Sequence, residues 1–151
     1  GMGDAVLRFK KSKFYDLTDD ILLIWGDIPF ISRKSLDNLV KLHNSNKNFL
    51  TILSYYTQNP YTYIRKDEYG KILEIIETNK TNKKFLYGER DIGVFLFNKS
   101  LLDFLKNNNK TEHNFLYVVK ILSKKGLKIE SLPIVNHKET LSLNKMSDIK
   151  K

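Results

Sequence analysis

Ile21-Leu22-Leu23-Ile24-Trp25-Gly26-Asp27-Ile28-Pro29-Phe30 decides how this chain is read. A continuous apolar run with β-branched residues around its centre predicts a strand buried on both faces, as in parallel sheets. Gly26 permits close approach of a backbone or ligand, and Pro29 ends the ladder because it has no N–H to donate. Asp27 is thereby left just beyond the carboxyl end of the strand, where open α/β sheets bind ligands. A carboxylate there suits a hard cation such as Mg²⁺, which takes one or two protein carboxylates plus substrate phosphates. The alternative for Asp27 is a turn or capping role with no ligand.

Outward from this stretch the chain alternates between the two periods. Ala5, Val6, Phe9 and Lys13 outline a short amphipathic helix. Ser32 precedes Ser35, Leu36, Leu39, Val40 and His43, an N-cap followed by helical spacing that Asn44 to Asn46 close. Phe49 to Tyr56 predicts a strand, and Asn59-Pro60 a turn. Tyr63–Lys66 and Lys71–Glu77 flank Asp67-Glu68-Tyr69-Gly70, which predicts a hairpin. Polar, lysine-rich residues 79–88 read as a surface loop, and Ile92 to Phe97 as a further strand. Leu101, Leu102 and Leu105 sit on a short helix. Thr111 caps a longer one with Phe115, Val118, Val119 and Leu122, closed by Gly126. Leu127 to Ile134 gives the last strand. One domain over residues 1–151 is expected, since no repeat or linker interrupts the pattern.

Composition narrows the function classes. There is no cysteine, so disulfides and thiolate metal sites are excluded. No apolar stretch is long enough to span a membrane, which leads to the expectation of a cytoplasmic protein with no membrane partner. The net charge of +9 suggests a nucleic-acid-binding module, but 22 of the 26 basic residues are lysine and only four are arginine. Arginine is the residue of bidentate phosphate and guanine recognition. Asparagine and isoleucine each occur 14 times and alanine once, a skew that fits AT-rich coding and a solvated lysine surface. His43, His113 and His137 lack zinc-ligand spacing, and His43 on a helix face reads as a packed residue. Tyr55, Tyr56, Tyr61 and Tyr63, near strands, read as core and edge packing. No nucleophile elbow or Walker loop occurs.

The order of segments resembles the sugar-phosphate nucleotidyltransferases, and among them the N-acetylglucosamine-1-phosphate uridylyltransferases. Gly1-Met2-Gly3-Asp4-Ala5 is similar to the family's G-T-G/A-D/H-A segment, and Trp25-Gly26-Asp27-Ile28-Pro29 to its strand ending in G-D-x-P. Asn59-Pro60 with Tyr63, Arg65, Gly70, Lys71 and Glu77 resembles D-P-x-x-Y-G-R…G-K-V…I-V-E. Asp91-Ile92-Gly93-Val94 stands where the family has N-T-G-I/V. Glu112 with Phe115, Leu116, Val118 and Val119 is similar to E-Y-Y-L-T-D-I-I, and Leu143-Asn144 to V-N. The resemblance implies a partial Rossmann-like fold, a mixed and mostly parallel sheet flanked by helices. It implies Mg²⁺ held by Asp27 and Asn144, a nucleotide base near Gly3, and sugar contacts at Glu77, Asp91 and Gly93. Asp91 replaces an asparagine and, as an acceptor-only carboxylate, cannot reproduce the amide's donor. Ile64 replaces a glycine whose backbone approaches the acetamido group.

The family's L-A-A-G-x-G-T-R-M loop and P-K segment are absent from these 151 residues. That loop supplies the backbone donors, arginine and lysine that hold a triphosphate, and phosphoryl-type transfer rests on such positioning. Gly1 ahead of Met2 reads as an addition before a native start. The expectation is a nucleotidyltransferase-like protein that binds a sugar phosphate or nucleotide sugar and transfers nothing alone. The second reading is one part of a split transferase completed by a separate N-terminal chain. Family strands missing here would flank Ile21–Trp25, so that strand is expected to become an apolar edge, covered in a homodimer or by a complementing fragment.

Overall fold

The computed structural model describes residues 2–82, 84–106 and 115–143. Its elements are α1 (Met2–Phe9), β1 (Asp20–Ile24), α2 (Arg33–Asn46), β2 (Leu50–Gln58), β3 (Thr62–Lys66), β4 (Ile72–Glu77), β5 (Tyr87–Asn98), α3 (Leu101–Lys106), α4 (Phe115–Lys124) and β6 (Ile129–Pro133). Short 3-10 turns cover Thr78–Lys80 and His137–Thr140. Thr111, Glu112 and Asn144 lie outside the described residues.

Four strands form one sheet in the order β1-β5-β2-β6, and β3 and β4 form a separate hairpin. The sheet is mixed, as the resemblance implies, but its parallel share is small. Only the β2–β6 ladder is parallel; β1–β5 and β2–β5 are antiparallel. The expectation of a strand buried on both faces at Ile21–Trp25 is corrected. β1 is an edge strand, with Leu22 42% and Ile24 41% exposed while Ile21, Leu23 and Trp25 pack on the core. Apolar composition predicted burial; among the described residues no strand lies on the outer side of β1, and alternate side chains stay uncovered.

The fully buried role falls instead to β5 and β2, which carry apolar side chains on both faces. Leu50, Ile52, Phe95 and Phe97 pack one way, against Val6 of α1, Leu101 of α3, Phe115 and Val119 of α4, and Ile64 and Ile72 of the hairpin. Phe115 meets Phe95 edge-on, with ring centroids 4.9 Å apart. Leu53, Val94 and Leu96 face the other way, toward Leu39 of α2 and Ile28. α2 begins where its sequence predicts: the Ser32 hydroxyl accepts from the Ser35 N–H at 3.1 Å. It ends at Lys47, which takes a left-handed conformation. His43 is buried as a packed residue, its Nδ1 2.8 Å from the Thr51 hydroxyl.

β5 is twice as long as its apolar run because residues 87–91, read as loop and site residues, pair with β2. Leu53 pairs with Val94 and the next residue, Ser54, with Asp91, so Ile92 and Gly93 are extra residues on β5. Gly93 meets this bulge with φ of 78°, a conformation that costs side-chain-bearing residues. The bulge re-aims Asp91 and brings the backbone of Gly93 to the end of β1.

Candidate functional site

At the bulge the Gly93 carbonyl accepts from the Trp25 N–H at 2.9 Å. A Cβ on Gly93 would lie 2.6 Å from the Trp25 ring, so only glycine lets the indole seat there. This contact fixes the exit of β1 and hence the Gly26-Asp27 turn. The turn is held from the other side as well, because the Leu143 N–H donates to the Asp27 carbonyl at 2.7 Å. The tight turn follows from the sequence: Gly26 has open space around its Cα, and Pro29 prevents the strand from continuing.

Asp91 is fully buried. The Thr62 hydroxyl donates to its Oδ1 at 2.6 Å and the Gly93 N–H to its Oδ2 at 3.2 Å. Burial pushes the Asp91 carboxyl up, against the pull of these two donors and of the Arg90 charge. Thr62 is directly opposite Glu77 in the β3–β4 hairpin, so Thr62 stands between the two acidic residues. Glu77 is half-buried and accepts from Lys80 Nζ at 2.8 Å. The hairpin entry is anchored by Thr78, whose N–H and hydroxyl donate to the Tyr61 carbonyl at 2.9 and 3.0 Å.

Tyr61 links these groups. Its hydroxyl accepts from Arg90 Nη1 at 2.8 Å, and the guanidinium carbon lies 4.7 Å from the ring centroid. Although Tyr61 is 48% exposed, loss of solvent around its hydroxyl, with the charges of Asp91 and Asp27, pushes it up to about 12, and Arg90 pulls the other way. The phenol therefore keeps its proton at neutral pH and, having accepted from Arg90, can still donate it.

Of the residues singled out from sequence, Asp91 and Gly93 are in direct contact, and Gly93 also binds Trp25, two residues before Asp27. Glu77 lies across the hairpin from Thr62 in the ladder, and its carboxylate pairs with Lys80. Gly3 is buried in α1, with the start of α4 beside it: a Cβ there would meet the Phe115 nitrogen at 4.0 Å. Asn144 follows Leu143 but lies outside the described residues, so the metal pair is described only by Asp27. Among the described residues no group of three or more His, Cys, Asp or Glu could hold a metal ion. One hard carboxylate still fits Mg²⁺ if ligand phosphates supply further oxygens. Tyr61, Thr62 and Arg90 were not read as site residues. The available signal was Arg90, one of four arginines in a lysine-rich chain and the neighbour of Asp91.

The mixed α/β sheet flanked by helices has the fold of a sugar nucleotidyltransferase. A structure assigned as a glucose-1-phosphate thymidylyltransferase from Bacillus anthracis superposes with a TM-score of 0.66 at 19% identity, covering 89% of this chain and 53% of that one. In sequence the chain is related to bifunctional protein GlmU. It is 32% identical to the protein of Clostridioides difficile strain 630 over all of this chain, and 29% identical to that of Thermodesulfovibrio yellowstonii over 89% of it. These alignments take in 34% and 31% of the two relatives, so the chain spans about a third of their length. No family model matches. The chain is thus a relative of the sugar-phosphate nucleotidyltransferases, corresponding to part of such a protein.

Proposed function

We propose that the chain binds a nucleotide sugar or sugar 1-phosphate at the Asp27 end of its sheet. What supports this reading is the contact set at the Gly93 bulge, where Asp91 holds Thr62 and the Gly93 N–H, the Gly93 carbonyl holds Trp25 just before Asp27, and Arg90 beside Asp91 binds Tyr61. Asp27 and Asn144 would hold Mg²⁺, which when bound neutralises phosphate charge. Glu77 would accept from sugar hydroxyls. Asp91, with both oxygens already hydrogen-bonded, would act mainly by fixing Thr62 and the Gly93 backbone. Gly3 would approach the base. The ligand class nearest to this reading is a uridine-diphosphate amino sugar, following the relationship to GlmU.

These 151 residues include no Gly-rich triphosphate loop, so by themselves they would bind without transferring. A second reading is a split transferase, in which a separate chain supplies that loop. The uncovered edge of β1 favours it, because a strand added there would extend the sheet beside Asp27. Calorimetry with a nucleotide sugar and Mg²⁺, paired with a pyrophosphate-release assay, tests both readings. Binding that weakens in Asp27→Ala without pyrophosphate release is expected. Turnover by the chain alone, abolished in Asp27→Ala, would overturn the non-catalytic reading; turnover appearing only with a loop-bearing partner would select the second.

A further inference from the structure

The four arginines of this chain do not all meet the same kind of partner. Arg33 lies 3.7 Å from the Asp37 carboxylate and Arg65 2.8 Å from that of Glu74. Arg90 instead meets neutral oxygens: the Tyr61 hydroxyl at 2.8 Å, the Asp91 carbonyl at 3.2 Å and the Thr140 carbonyl at 3.5 Å. Its aromatic neighbour adds a cation–π contact that orients the planar group without neutralising it. A guanidinium carries five N–H donors, and these contacts employ three of them. The Arg90 charge acts on the buried Asp91 carboxylate without touching it. The carboxylate oxygens of Asp91 are bound by Thr62 and Gly93, and Arg90 touches that residue only at its main-chain carbonyl.

Tyr61 completes the arrangement. Its oxygen is turned to Arg90 as acceptor, which leaves its own proton to donate elsewhere. One short segment ties both groups together: Arg90 reaches the Thr140 carbonyl at 3.5 Å, and the Leu143 N–H donates to the Asp27 carbonyl at 2.7 Å. A fixed cation and a phenolic donor therefore stand beside a carboxylate suited to a divalent ion. A phosphate fits this set from both sides, since it accepts from guanidinium and phenol and shares a hard cation with a carboxylate.

We propose that Arg90 and Tyr61 are the phosphate-binding residues of the Asp27 site, gripping the phosphate of a sugar 1-phosphate or nucleotide sugar. The assignment rests on the ligand class proposed above and supplies an arginine for the phosphate within the 151 residues. Arginine rather than lysine matters here, because the planar fork engages two phosphate oxygens at once while the ring beneath it limits its rotation.

The test is calorimetric titration of the intact chain, in Mg²⁺, with N-acetylglucosamine 1-phosphate and with unphosphorylated N-acetylglucosamine. The phosphorylated sugar should bind at least about tenfold more tightly. Arg90→Gln should remove about tenfold of that affinity, Arg90→Lys should recover part of it, and Tyr61→Phe should cost a smaller factor. Because Arg90→Gln could disturb the Tyr61 and Thr140 contacts, the wild-type chain gives a second readout: the arginine Nε–H resonance of Arg90 should shift on titration with inorganic phosphate. Equal binding of the sugar phosphate by wild type and Arg90→Gln, or an unmoved Nε–H resonance, overturns this assignment and leaves the sugar-phosphate reading standing. No binding of the sugar phosphate by the wild type overturns both.

Discussion

The two edges of the sheet are finished differently. β6 carries Glu130, whose carboxylate accepts from the Asn46 and Asn48 side-chain amides at 2.7 and 2.6 Å, and it ends at Pro133, which has no N–H to offer. Lys128, just before it, donates to the Asn46 carbonyl at 2.9 Å, and Lys66 reaches the Ser131 hydroxyl at 3.0 Å. Charge and proline are the usual means of blunting an exposed strand. β1 has neither between Ile21 and Ile24. With α1 and the segment containing Phe14, it borders an open apolar groove of about 620 Å³. One edge carries charge and proline, and the other an uninterrupted apolar run that is part-exposed.

The largest effect is expected where β1 joins the sheet. Gly93→Ala would place a methyl group 2.6 Å from the Trp25 ring on a backbone already at positive φ. Left-handed strain of about 1–2 kcal/mol adds to overpacking of about 1–3 kcal/mol. We expect Gly93→Ala to lower stability in urea by about 2–5 kcal/mol. Gly126→Ala is the control: φ is 73° but the space around it is open, so only the backbone share of about 1–2 kcal/mol should appear. Equal losses in the two variants would show that the indole moves aside and that the β1 anchor is looser than its packing suggests.

This contrast explains which parts were legible in the sequence. The Ser32 cap, the Gly70 and Gly126 turns and the β3–β4 hairpin follow from local chemistry and appear close to their expected places. The strand over Phe49 to Tyr56 was also visible, because a central strand buried at successive positions is written as an apolar run. The edge position of β1 was not visible in its composition, since an apolar run specifies what a strand would bury and not whether a neighbour is present. Only the family resemblance raised that possibility. The extent of β5 was hidden for another reason: Glu89, Arg90 and Asp91 are charged but sit inside a ladder, where partners rather than propensity hold them. Glu89 is one example, accepting from the Ser54 hydroxyl at 2.6 Å and pairing with Lys66 at 2.6 Å. Asp27 was readable as punctuation at the end of a strand, and Gly93 only through the family resemblance. Tyr61 and Arg90 were not, because their roles arise from a contact across 29 residues of sequence.

The next effect in size tests whether β1 pairs with another strand. We propose a two-fold dimer through antiparallel β1 edges, with a complementing chain fragment as the competing occupant. A stable interface of this kind should bury more than about 1,000 Å² in total. Leu22→Lys puts a charge on the exposed apolar face and should weaken association at least about tenfold, equivalent to about 1.4 kcal/mol. Light scattering coupled to size exclusion over a concentration series measures it. A wild-type chain that stays monomeric at high concentration would remove the dimer, and binding of a loop-bearing fragment that Leu22→Lys blocks would assign the edge to that fragment.

The smallest effect lies on the finished edge. Burial works to raise the Glu130 carboxyl, but the amide donors of Asn46 and Asn48 and the charge of Lys128 outweigh it and hold the group below the ordinary carboxylate range. A carboxyl lowered in the folded state binds fewer protons there than in the unfolded chain. Its stabilisation is therefore present above the unfolded value of about 4.3 and is lost as pH falls through the folded one. Glu130→Gln should cost under about 1 kcal/mol at neutral pH, because the site is at the sheet margin and its amide keeps an acceptor for only part of the network. The stability gap between wild type and Glu130→Gln, measured by urea titration, should hold from neutral pH down to about pH 5 and close below about pH 4. A gap that persists unchanged into acid would mean that hydrogen-bond geometry, and not the carboxylate charge, finishes the β6 edge. The polar contrast with β1 would then rest on Pro133 and the surrounding lysines.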